Sequence, residues 1–187
     1  MNNILKLGGI LGLLSIVSQV LYRYVLGYDF MFSWKAMVVG LVLMLVLTIV
    51  LGKKYFRDPE DGTLGYGDAV KNLFLSYLLS FVIGMVGAAL LFGSDPEVGQ
   101  AFKDYTISAT ESMTRSIGEM SGQSEADIDA SIETLKEQYE SGEVYMPDNP
   151  YSFSTLPMNL LSGAIYSIIM ALILAIFIKK SDSTSYT

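Results

Sequence analysis

The sequence predicts an all-α membrane protein: four transmembrane helices in an antiparallel bundle, with an extracytoplasmic helical hairpin inserted between the third and fourth. Three observations predict it. Apolar residues make up 51% of the chain and the mean hydropathy is +0.43, more than an ordinary soluble domain carries. Four apolar runs, at 7–26, 30–51, 72–92 and 158–178, each supply the roughly 20 helical residues that cross a hydrocarbon core of about 30 Å. The charges are split between the connections. Lys53, Lys54, Arg57 and Lys71 lie between the second and third runs and Lys179 and Lys180 after the fourth, whereas 94–157 has three basic residues against thirteen acidic ones. Basic loops stay on the cytoplasmic side, so both termini are expected inside and the acidic segment outside. Residues 1–93 then hold three spans with a short cytoplasmic link at 52–67. Residues 94–157 form the acidic hairpin and return loop, 158–180 the last span, and 181–187 a cytoplasmic tail.

One positive charge, Lys6, precedes the first run, and no small-x-small cleavage site follows the run. It reads as an uncleaved helix rather than a signal peptide. Gly8, Gly12, Ser15 and Gln19 return to nearly one face, and small residues on one face let two backbones approach closely in lipid. A short link at Gly27, Tyr28 and Asp29 makes the second span an antiparallel neighbour. Tyr22, Tyr24, Tyr28, Phe30, Phe32 and Trp34 crowd this end as an interfacial aromatic belt would. Ala36, Gly40, Thr48 and Gly52 share a row on the second span.

The link after it contains Asp58-Pro59-Glu60-Asp61-Gly62, but glycine and glutamate miss the positions a calcium loop requires, so a solvated turn is expected. Asp68 is expected to cap the third span. That span has the clearest row in the chain, with Asp68, Asn72, Ser76, Ser80, Gly84 and Ala88 every fourth residue. Asp95 followed by Pro96 starts a further helix. In it Val98, Phe102, Tyr105, Ala109, Met113, Ile117 and Met120 make an apolar stripe. Ser124 with Asp127 resembles a capping box. The helix it opens carries Ile128, Ile132, Leu135 and Tyr139 and ends before Gly142. The two stripes are expected to face each other. Residues 143–157, with Pro147, Pro150 and Pro157, return irregularly to the membrane. Asn159, Gly163, Ser167, Ala171 and Ala175 give the last span its own row.

Histidine and cysteine are absent, which removes the commonest general base, the commonest zinc ligands and all thiol chemistry. The serines within the spans have no base at depth, and no nucleic-acid-binding face exists in a chain of net charge −7. Asp127, Asp129, Glu133 and Glu137 suit a solvated acidic face better than a metal site. Catalytic residues, metal ligands and cofactors are therefore not expected.

The small rows read as helix-packing seams through Gly8, Gly12, Gly40, Ser76, Ser80, Gly84, Ala88, Gly163, Ser167 and Ala171. A polar path including Gln19, Asn72, Ser76, Ser80, Ser162 and Ser167 is the alternative, weakened by the absence of a charge near mid-membrane.

The Gly-Tyr-Gly-Asp-Ala-Val-Lys entry at 65–71 and the Ser-Glu-Ala-Asp-Ile-Asp helix start at 124–129, in this order of spans, resemble the bacterial family called domain of unknown function 4199. The resemblance implies a bacterial inner membrane and a periplasmic loop, and supplies no functional residue. The expected function is that of a non-enzymatic inner-membrane protein in contact with lipid, presenting its hairpin to a protein partner or to its own copy. A small-molecule or lipid transporter or channel acting as an oligomer is the alternative.

Overall fold

A computed structural model describes residues 2–144 and 146–180; Tyr145 of the return segment and the expected tail at 181–187 lie outside the described residues. Among the described residues the chain forms seven α-helices: α1 (Asn2–Leu21), α2 (Tyr28–Met31), α3 (Trp34–Phe56), α4 (Tyr66–Phe92), α5 (Pro96–Met120), α6 (Glu125–Ser141) and α7 (Leu156–Ile178). A π-helical turn, Tyr22–Leu26, continues α1 to Gly27, whose φ of 82° suits glycine and breaks the helix. With that turn, α1, α3, α4 and α7 are long and apolar enough to cross a membrane. Helices α5 and α6 form the hairpin between the third and fourth spans.

The helix ends differ from expectation where capping decides them. The second span starts at Trp34, not Phe30, because the Ser33 hydroxyl accepts the Ala36 amide at 3.3 Å. It runs on to Phe56, with Lys53 and Lys54 in the last turn where the helix dipole favours cations. The link is thereby shortened to 57–65. Asp68 does not cap α4. Gly65 holds that position and Asp68 sits in the first turn, where its carboxylate still meets the positive end of the dipole. Asp95, followed by Pro96, caps α5 through the Glu97 amide at 3.1 Å. Ser124 caps α6, accepting from the Asp127 amide at 3.2 Å. Gly142, at φ 77°, ends α6.

Helix α4 is the hub. Half of its most apolar stretch is buried, against 39% in α7, 22% in α1 and 17% in α3. Its most extensive partner is α1, followed by α7. The α1 and α4 contacts rise together along both helices, so the two run parallel. A Cβ at Gly8 would lie 2.8 Å from the Ser76 carbonyl oxygen, and one at Gly12 would lie 2.8 Å from Ile83. From the other side, a Cβ at Gly84 would lie 2.7 Å from the Ser15 hydroxyl and one at Gly87 would lie 2.7 Å from Ile16. Antiparallel to α4, α7 lays Gly163 under the Phe81 ring and buries Ser167, Ala171 and Ala175. Helix α3 joins this layer through Thr48, whose hydroxyl lies 2.8 Å from that of Tyr77, and through Gly52 against Ile178. Its expected row does not pack throughout. A Cβ at Gly40 would meet nothing described within 4 Å, because α1 and α3 part there to leave a groove.

The far ends of the spans are tied together. Asn3 donates to the Tyr55 carbonyl at 2.6 Å, Arg57 donates to the Ile178 carbonyl at 3.0 Å, and Leu64 bridges Lys180. Lys53, Lys54, Arg57, Lys179 and Lys180 gather here, at the opposite end of the bundle from the hairpin.

Candidate functional site

Asp95 anchors the hairpin end. Besides capping α5, its carboxylate accepts the Tyr28 hydroxyl at 2.6 Å and pairs with Arg23 at 3.4 Å. Asn149 donates to the carbonyls of Phe92 and Asp95, at 2.7 and 3.1 Å, and so binds the return segment to the same corner. Burial, with the Asp95 carboxylate beside it, pushes the Tyr28 phenol up to about 12, so it remains a donor at neutral pH. The cap on α5 was legible in Asp95-Pro96. Arg23 and Tyr28 were not expected here, and an arginine set among apolar residues at a helix end was the signal that it needed a partner.

Below this corner a cavity of about 240 Å³ opens among the spans. Ser15 and Gln19 of α1, Ser80 and Gly84 of α4, and Ser167 of α7 line it, with Phe81, Met85 and Tyr166 as apolar walls. The structure thus brings together Gln19, Ser80 and Ser167 of the expected polar residues. It does not bring in Asn72, which lies nearer the basic end, or Ser76, whose hydroxyl donates to the Asn72 carbonyl at 2.8 Å. Ser162 lines a neighbouring cleft of about 280 Å³ between α4 and α7, next to Gly163 and Tyr166. Gly8, Gly12 and Ala171 lie in the seams, Ala88 is buried beside Phe92, and Gly40 borders the groove between α1 and α3.

The hydroxyls in the seams differ in one respect. Ser76 and Ser167 return theirs to the carbonyl four residues earlier, the usual way a helix absorbs a serine. Ser80 is only 4% exposed, yet its hydroxyl makes no hydrogen bond among the described residues. Gln19 donates to the Gly84 carbonyl at 3.0 Å and to Ser15 at 3.3 Å. Its amide oxygen is buried without a partner. An unpaired buried acceptor costs about 1–3 kcal/mol. The Gln19 oxygen is such a group, and it borders the cavity together with the Ser80 hydroxyl.

The hairpin is braced on one side only. Arg115 binds Glu125 at 3.0 Å and Asp129 at 2.7 Å, Lys136 binds Glu111 at 2.6 Å, and Ile128 packs on Gly118. The flanking carboxylates, Asp129 foremost, hold the Arg115 guanidinium above its ordinary range. Asp127 bonds Ser124 while Asp129 turns to Arg115, so the acidic residues go to separate partners.

The α5 stripe does not face α6, contrary to expectation. Its first half packs on the membrane helices: Val98 is buried beside Phe92, and the Phe32 ring meets those of Phe102 at 5.7 Å and Tyr105 at 6.0 Å. Its second half is uncovered, with Met113 65%, Ile117 48% and Met120 80% exposed. The reason is angular. Glu111, Arg115 and Gly118 take the α6-facing side of α5, and the stripe lies on another face of the same helix.

Among known proteins, the family described as protein of unknown function (DUF4199) matches residues 6–180. No curated protein and no solved structure matches the chain.

Proposed function

We propose that this chain, which belongs to the DUF4199 family of proteins of unknown function, is a non-enzymatic protein of a bacterial inner membrane that presents its hairpin to a protein partner on the extracytoplasmic side. The carrying observation is the uncovered half of the α5 stripe. Met113, Ile117 and Met120 stand out from a hairpin whose other side is closed by ion pairs. Exposed apolar residues on a braced, otherwise polar element mark an interaction surface. Thirteen acidic against three basic residues in 94–157 favour a partner with an apolar strip rimmed by lysine and arginine. A second copy of this chain would set a net −10 against a net −10. The gathering of lysines at the other end supports an outward hairpin with both termini inside.

The test is a photo-crosslinking residue placed at Met113 or Met120 in living cells. The reading expects an adduct with one discrete protein, lost when the other methionine is changed to glutamate. Adducts with lipid alone, or none, contradict it. A second reading, a lipid or small-molecule carrier acting as an oligomer, is favoured by the cavity that Gln19 and Ser80 border.

A further inference from the structure

We infer that the cavity bordered by Gln19 and Ser80 binds a neutral lipid alcohol, an apolar chain ending in a free hydroxyl. The inference rests on the second reading only as far as binding; it requires neither transport nor a partner for the hairpin. Three features select this chemistry. No ionisable carboxylate, lysine or arginine lines the cavity, so a charged headgroup would enter without a counter-charge, at high cost in a membrane. The Gln19 amide oxygen accepts only, so its occupant must donate, while the Ser80 hydroxyl both donates and accepts. A hydroxyl group answers both. Met44, Phe81, Met85 and Ala88 offer apolar surface, the Tyr77 and Ser167 hydroxyls are already bonded to Thr48 and to the Gly163 carbonyl, and Tyr151 and Tyr166 contribute rings that carry phenol hydroxyls.

Access follows from the neighbouring spaces. Phe81, Met85, Tyr151 and Tyr166 border both the cavity and the cleft between α4 and α7. Ser15, Gln19 and Met44 border both the cavity and the groove between α1 and α3. A chain can therefore lie in the cleft or the groove with its hydroxyl inside. At about 30 Å³ for each water-sized group, 240 Å³ holds a small head and the first few carbons, not a phospholipid headgroup with its shell of water.

The test uses the full chain in lipid nanodiscs with diazirine-bearing probes. One arm is hexadecanol and another a diacylglycerol, which carry the same free hydroxyl from different sources; each is compared with its own methyl ether. Labelling of peptides containing Met44 or Met85 is expected to favour one or both alcohols over the ether by about tenfold, the worth of one well-placed hydrogen bond. Ser80→Ala removes a hydroxyl with no protein partner, so it should leave the melting temperature unchanged and lower alcohol labelling toward the ether level. Gln19→Leu should do the same, with a loss of stability because Gln19 also holds the Gly84 carbonyl. Met113→Glu should leave labelling untouched, which separates this site from the hairpin. Equal labelling by alcohols and ethers, or an alcohol preference that survives both Ser80→Ala and Gln19→Leu, would show that water or an acyl chain fills the space, and would overturn the inference.

Discussion

Replacing Asp95 by asparagine should separate its two duties. Asparagine still caps α5, but it cannot hold the charge of Arg23, and its amide is a poor acceptor for Tyr28. A loss of about 1–2 kcal/mol is expected for Asp95→Asn, and about 2–4 kcal/mol for Asp95→Ala, which also removes the cap. Thermal unfolding in mild detergent reads the order, and equal melting temperatures for the two variants would contradict it. Because the folded Tyr28 phenol sits at about 12 against an ordinary 10.0, its contribution is complete below pH ~10 and disappears as pH rises through 12. Tyr28→Phe should therefore lower the melting temperature by the same amount at pH 6 and pH 8. Local chemistry was legible in the chain: Asp95-Pro96 announced a cap because a cap acts over three residues. The remainder of this corner was not, since Tyr28 stands 67 residues away and only the closed bundle brings it near.

At the scale of the helix, the small residues divide into those that meet a neighbour and those that do not. Gly84→Leu and Gly12→Leu must push α1 from α4 and should cost about 1–3 kcal/mol or more, as overpacking does. Gly40→Leu, which faces the groove, should be tolerated and should even gain helix propensity. Melting temperatures of the three variants check this, and an unstable Gly40→Leu with a stable Gly84→Leu would refute the seam. The four-residue rows were readable because helical periodicity is local. Their partners were not. A row states which residues share a face and leaves open what covers that face, so Gly40 and Gly84 look alike in sequence. The α5 stripe makes the same point: Phe102 and Met113 belong to one apolar face, yet one lies on Phe32 and the other is bare. The cavity was half legible. Gln19, Ser80 and Ser167 were singled out, but the space between them exists only because helices held together elsewhere, at Gly12 and Gly52, part around it.

For the whole molecule, the charges and the helix directions agree. Parallel α1 and α4, and α7 antiparallel to α4, carry the chain so that Lys53 and Lys179 share one end and the hairpin the other. The four spans were legible because lipid demands about 20 apolar residues from each. The central place of α4 was foreshadowed by its long unbroken row, whereas the light contact between consecutive α1 and α3 was not, since a short link dictates proximity and not tight packing. The chain has no cysteine, so single cysteines report sidedness against a clean background. Ser124→Cys in the turn of the hairpin and Glu60→Cys in the opposite link should be treated with a membrane-impermeant maleimide, in intact and in permeabilised cells. The account predicts that Ser124→Cys reacts in intact cells and Glu60→Cys only after permeabilisation. Reaction of both in intact cells, or of Glu60→Cys alone, would contradict it.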